Sequence, residues 1–199
     1  MSVMVKICGL HDAAGVAAAV ESGVGAIGFV FTESVRRVTP QQANDVSRHV
    51  SKEVQRVAVM RHPANDEWHA VLDEFAPDVL QTDIEDFDAL EVPDSVIRWP
   101  VVRESSAALE SELPDVFVYE GANSGRGETV DWPRAAVIAR RGRMILAGGL
   151  SAGNIAAAIS AVDPWGVDVS SAVESRPGKK DPDLIRQFIQ AVRAAETGS

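Results

Sequence analysis

Eight short β-rich runs, each followed by residues of helical spacing or a clipped substitute, predict an α/β fold: a compact (β/α)8 barrel, or TIM barrel, with shortened helices and loops. Two further observations agree. The chain is 46% hydrophobic and 24% charged, the composition of a sequence that buries one sizeable core. Its 199 residues stand at the lower limit of about 200 for an architecture that typically takes roughly 250, so the crossovers have to be short. A doubly wound open sheet would use roughly five or six strands and leave two runs unexplained. One barrel domain over residues 1–199 is therefore expected.

The elements follow in order. Residues 3–8 read as a strand, 12–22 as an Ala-rich helix and 26–31 as a second strand; the helix over 40–50 opens at Pro40 behind Thr39 as N-cap. Strands over 56–60 and 79–81 flank a helix over 66–75. A weakly helical stretch around 87–90 marks a reduced fourth crossover before the strand over 96–103. The sixth strand spans 116–119, the seventh 144–147 and the eighth 166–170, with helices over 134–140, 154–161 and 183–195. No linker, short-period repeat or low-complexity segment interrupts the series.

A net charge of -10 and a pI near 4.8 oppose the phosphates of nucleic acid and the anionic face of a membrane, so neither is an expected partner. The single cysteine excludes an internal disulfide and a multi-thiolate zinc site, which fits a reducing cytoplasm. No run of about 18 apolar residues is present, and no membrane span is expected. His11, His49, His62 and His69 show no metal-ligand spacing and no acidic cluster around them, so no metal is expected. A dinucleotide fingerprint and a P-loop are also missing, which points away from nucleotide cofactors.

Active sites of such barrels lie at the C-terminal strand ends, which selects few polar residues. Lys6 and Cys8, two residues apart, share one face of the first strand. An adjacent ammonium is expected to lower the thiol below its ordinary value of about 8.5 and make Cys8 a usable base; a buried, inert cysteine is the other reading. After the sixth strand a glycine-rich loop over 121–132 ends in Asp131, either an acid beneath a lid or an N-cap. Gly148-Gly149 after the seventh strand and Ser170-Ser171 after the eighth suit a phosphate, with ordinary turns as the alternative. Asp168 shares the inward face of Ser170 and either orients a substrate hydroxyl or pairs with Lys6. Arg36, after the second strand, would hold a carboxylate through two hydrogen bonds or stand solvated. The expected partner is thus a phosphorylated small molecule, and monomer and homodimer both stay open.

Taken together, Lys6-Ile7-Cys8-Gly9, the strand Gly25-Ala26-Ile27-Gly28-Phe29-Val30-Phe31, Ser34 and Arg36 before Pro40, Val130-Asp131-Trp132 and Ala147-Gly148-Gly149-Leu150 form a recognisable set. So do Gly166-Val167-Asp168-Val169-Ser170-Ser171, Glu174 and Pro177-Gly178-Lys179-Lys180-Asp181. The chain resembles the phosphoribosylanthranilate isomerases of tryptophan biosynthesis along its whole length. The resemblance implies an Amadori rearrangement of N-(5-phosphoribosyl)anthranilate to 1-(2-carboxyphenylamino)-1-deoxyribulose 5-phosphate without cofactor or metal. It also implies Cys8 as general base, Asp131 as general acid, Arg36 on the anthranilate carboxylate, and Gly149, Ser170 and Ser171 around the phosphate.

Departures gather in the middle. Gln81-Thr82-Asp83-Ile84 stands where the family usually has Gln-Leu-His-Gly, and Met60-Arg61-His62-Pro63 replaces a Val-Phe-Val-Asn type of end. Ser124, Arg126, Glu120 and Ala172 also depart from the pattern. They leave two alternatives: a degenerate barrel that binds a phosphorylated ligand without turnover, and an isomerase of a related aminosugar phosphate.

Overall fold

The computed structural model describes residues 2–121 and 129–197. Eight parallel strands close in sequence order into a barrel, each hydrogen-bonded to the next and the eighth to the first. They are β1 (Met4–Cys8), β2 (Ala26–Val30), β3 (Gln55–Val59), β4 (Val79–Asp83), β5 (Ile97–Arg103), β6 (Val116–Glu120), β7 (Arg143–Leu146) and β8 (Gly166–Val169). Six α-helices lie among the described residues: α1 (Ala13–Glu21), α2 (Pro40–Ser47), α3 (Asn65–Phe75), α4 (Trp132–Ala139), α5 (Ile155–Val162) and α6 (Pro182–Thr197). The expected (β/α)8 fold is the observed one.

Local chemistry accounts for the helix starts. Asp12 accepts from the Gly15 amide at 2.8 Å to begin α1. At α2 the Thr39 hydroxyl and the Gln42 side chain cap each other's backbone amides, with Pro40 in the first turn. The reduced fourth crossover is a 3-10 turn, Ile84–Asp88, and the fifth is reduced in the same way to Ala107–Glu110. These two clipped crossovers are how so short a chain closes a full barrel.

Two apolar layers result from strand alternation. Val5, Ile7, Ile27, Phe29, Leu80, Phe117 and Leu146 point outward and pack with the inner faces of the helices. Ala26, Val57, Val79, Trp99, Val101, Val118, Ile145 and Ala147 fill the barrel itself. The inward positions turn polar toward the C-terminal ends: Lys6 and Cys8, Gln81 and Asp83, Arg103, Glu120, then Asp168. This gradient puts a dry plug at one end of the barrel and a chemically equipped mouth at the other.

After β8 the chain makes a 3-10 turn, Ser171–Val173, and then a hairpin of β9 (Glu174–Arg176) and β10 (Lys179–Lys180) that the sequence reading did not anticipate. Its turn carries Gly178 at φ +79°.

Candidate active site

A cavity of about 530 Å3 opens at the C-terminal ends of the strands, a volume suited to a small molecule. Cys8, Arg36, Gly149, Asp168, Ser170 and Ser171 line it, so the structure gathers six of the seven predicted site residues around one space.

Lys6 and Cys8 do share the inward face of β1. Lys6 is fully buried, and its Nζ lies 2.7 Å from Asp168 Oδ2 across the β1–β8 pair. Burial disfavours the ammonium, but the Asp168 carboxylate outweighs it and holds the proton on Lys6. Of the two readings of Cys8, the structure matches the buried cysteine and not the thiol lowered by Lys6. Burial pushes its thiol above the ordinary range, and the Lys6 ammonium opposes this without prevailing. The physical reason is first the burial itself, and after it the Asp168 carboxylate, which offsets part of the help from Lys6. Gly28, beside them on β2, leaves room for both side chains: a Cβ there would lie 3.1 Å from Lys6 Cε and 3.3 Å from Cys8 Sγ, and both would have to give way slightly.

Arg36 reaches the cavity from the segment after β2. Its Nε donates to Glu174 Oε1 at 2.6 Å and its Nη2 to Oε2 at 2.9 Å, a bidentate pair that leaves Nη1 unclaimed by Glu174. Gly9, at φ +76°, lets the arginine stem pass, since a Cβ would stand 2.7 Å from Arg36 Cδ.

Behind the β8 end, the Ser170 hydroxyl donates to the Cys8 carbonyl at 3.0 Å, and Lys180 Nζ donates to the Ser170 carbonyl at 2.9 Å. After β7, Gly148 and Gly149 take φ of 94° and 61°, a left-handed path that admits glycine readily. Asn154 braces this turn by accepting from the Ser151 amide and donating to the Gly149 carbonyl. Asp168 Oδ1 and Gln81 Oε1 are buried acceptors with no partner among the described residues, and both side chains line the cavity.

Asp131 is the exception. It is exposed, does not line the cavity, and its Oδ1 caps α4 by accepting from the Arg134 amide at 3.0 Å. Its own amide donates to Glu104 Oε1 at 2.8 Å. The preceding loop over residues 122–128, with Ser124 and Arg126, lies outside the described residues.

On the β3–β6 side, Glu120, Asp83 and His62, named above as departures, join a network with Arg103, which the sequence reading did not single out. Arg103 Nη2 donates to Asp83 Oδ1 at 2.6 Å, and Arg103 Nη1 lies 3.5 Å from Glu120 Oε2. Contrary to the expectation that no carboxylates gather around a histidine, His62, Asp83 and Asp86 offer ligand atoms within 4.8 Å of one another. Parallel register brings together β3 and β4 ends that are distant in sequence. These acceptors already serve protein donors: Arg103 and Arg61 on Asp83, Thr82 and His62 on Asp86. Burial raises Asp86, but the hydrogen bonds from Thr82 and His62 prevail and hold it below the ordinary carboxylate range. The trio is thus a neutralised network, and nothing in its bonding calls for a metal.

Fold and site together define a (β/α)8-barrel enzyme whose C-terminal mouth gathers a thiol, a guanidinium, carboxylates and glycine- and serine-bearing loops around one cavity. The sequence profile of N-(5′-phosphoribosyl)anthranilate isomerase matches residues 5–191, and the chain belongs to that family. The isomerase of Pelobacter propionicus is 37% identical over 99% of each chain, and that of Listeria welshimeri 34% identical over 98% of this chain and all of its own. Among solved structures, the Thermotoga maritima enzyme superposes with a TM-score of 0.83 at 30% identity, over 96% of this chain and 99% of its own. A phosphoribosylanthranilate isomerase crystallised with reduced 1-(o-carboxyphenylamino)-1-deoxyribulose 5-phosphate gives a TM-score of 0.79 at the same identity and coverage. No described helix is long and apolar enough to cross a membrane.

Proposed function

We propose that this family member carries out its Amadori rearrangement in the cytoplasm with Cys8 as general base and Asp131 as general acid. Its substrate is N-(5-phosphoribosyl)anthranilate, a phosphorylated small molecule. The acid protonates the ribose ring oxygen, the C1′–O bond breaks, and the anilino nitrogen's lone pair forms the iminium. The base then removes the C2′ proton, and those electrons give the enolamine, which tautomerises to the 1-amino-1-deoxyketose.

One observation carries this reading: the contiguous β7–β8–β1–β2 arc presents, in order, a glycine turn, serine hydroxyls, a thiol and a guanidinium around one cavity. Gly149, Ser170 and Ser171 suit the phosphate, and the open edge of Arg36 suits the carboxylate. Asp168 Oδ1 and Gln81 Oε1 are acceptors awaiting donors, which the hydroxyls and anilino N–H between those two anionic ends supply. A second assignment of the acid has its own support, because Glu120 and Asp168 line the cavity and Asp131 does not.

Loss of anthranilate fluorescence with freshly made substrate tests the proposal. Cys8→Ser should cut turnover by on the order of 10² or more while leaving product-analogue binding near normal. Turnover within about threefold of the parent removes Cys8 from the base role. Asp131→Asn should abolish most activity without shifting the thermal midpoint, because asparagine caps a helix about as well as aspartate. An active Asp131→Asn protein transfers the acid to Glu120 or Asp168.

A further inference from the structure

The Pro177-Gly178-Lys179-Lys180-Asp181 run has no part in this chemistry, and neither does Glu174. Glu174 and Lys180 belong to the β9–β10 hairpin, outside the cavity lining, yet each bonds to a residue that lines it. Glu174 is 4% exposed and has both oxygens on Arg36. Its Oε1 also accepts from Lys180 Nζ at 2.7 Å, and its Oε2 from the Gly178 amide at 3.2 Å. Lys180, its side chain fully buried, donates in turn to the Ser170 carbonyl at 2.9 Å and lies 3.2 Å from the Ser170 hydroxyl. The hairpin turn presses on the segment that carries Arg36: a Cβ on Gly178 would stand 2.5 Å from the Val35 carbonyl oxygen.

We infer that this hairpin is a positioning device with two arms, in which Glu174 orients Arg36 for a substrate carboxylate and Lys180 orients Ser170 for a substrate phosphate. The inference rests on the assignment of Arg36 and Ser170 made above. By taking the Nε–Nη2 edge, Glu174 fixes the guanidinium plane of a long, rotamer-rich side chain and leaves the Nη1 side for a ligand. Lys180 is held below the ordinary lysine value because burial outweighs the help it receives from Glu174.

The test compares inhibition by anthranilate, which has the carboxylate and no phosphate, with inhibition by inorganic phosphate, alongside kcat and KM. Glu174→Gln should weaken anthranilate about tenfold, roughly the worth of one charged hydrogen bond, and raise KM similarly, with kcat within about threefold and phosphate within about twofold. Lys180→Met should show the reverse selectivity. In an Arg36→Ala background Glu174→Gln should add nothing to the anthranilate loss, because the two act as one unit. Either hairpin variant weakening both probes alike, or neither probe, overturns the inference, as does full additivity with Arg36→Ala. Arg36→Ala that weakens both probes alike overturns the underlying site assignment instead. Should Glu174→Gln not fold, Gly178→Ala keeps the carboxylate but forces the turn off Val35. It should reproduce the selective anthranilate loss, and unchanged affinities there overturn the inference equally.

Discussion

Lys6→Met isolates the energetics on which the mouth of the barrel depends. Methionine keeps most of the lysine stem and removes the ammonium. Lys6 is fully buried, Asp168 is 9% exposed, and their contact is 2.7 Å. The other oxygen of Asp168 has no partner among the described residues, so the variant strands a buried carboxylate. Breaking a buried pair from one side costs about 3–5 kcal/mol. For a chain of this size about 1 kcal/mol corresponds to roughly 2–4 °C, so the midpoint should fall by roughly 6–20 °C. The stranded carboxylate prefers to be protonated in the folded state, which makes the folded form bind the extra proton. The deficit should therefore be largest near neutral pH and shrink as pH falls toward the unfolded aspartate value of about 3.9. Lys6→Met/Asp168→Leu, which removes both charges, should recover most of the stability, as apolar replacement of buried pairs usually does. Urea unfolding at several pH values reads all three effects. A Lys6→Met loss below about 1 kcal/mol, or a double variant no better than the single, refutes the claim that the pair is a mutually dependent buried unit.

Two further outcomes follow from the charges around the cavity. Cys8 is the sole cysteine, so iodoacetamide labelling reports on it alone; the rate should inflect above the ordinary thiol value of about 8.5, and an inflection at or below it contradicts the dominance of burial. Burial pushes Glu174 up, but Arg36 and Lys180 prevail and hold it below the ordinary range. Such a group stabilises the fold above its unfolded value of about 4.3 and loses that contribution as pH falls through the folded value. The stability gap between the parent and Glu174→Gln should therefore close in acid, and a gap constant from about pH 7 to 3 rejects the assignment.

The barrel was legible because each strand is a β-rich run with its own helical or clipped partner, and parallel closure follows from that alternation. Pairing of Lys6 with Asp168, 162 residues away, is one of the two readings that the inward alternation of β8 offers, and it is the one observed. What escaped was mostly how burial and such contacts act on their neighbours, beginning with the raised Cys8 thiol. The His62–Asp86 contact joins residues 24 apart through the β3–β4 register, which histidine spacing does not report. Arg103 was within reach of the alternation rule, since it stands two residues beyond the inward Val101, just as Glu120 stands two beyond Val118. The β9–β10 hairpin is too short and too charged to register as strands, and only the Pro177-Gly178 dipeptide marks its turn.

The two halves of the mouth differ in how many of their polar groups are already satisfied, and this bears on what the departures from the family pattern can affect. On the β3–β6 half, Asp83, Asp86, Arg103 and His62 bond mainly to one another, so a ligand meets a wall whose charges are internally balanced. On the β7–β2 half, Asp168 keeps an oxygen with no partner among the described residues, and Arg36 keeps an edge that Glu174 does not take. A bound molecule gains most where it completes unmet hydrogen bonds and least where it would have to break existing ones. The replacement of the usual histidine by Asp83 therefore alters the shape and polarity of the wall, because its charge is spent on Arg103 and Arg61. The thiol, the lysine–aspartate pair and the hairpin-backed arginine are built on the other half.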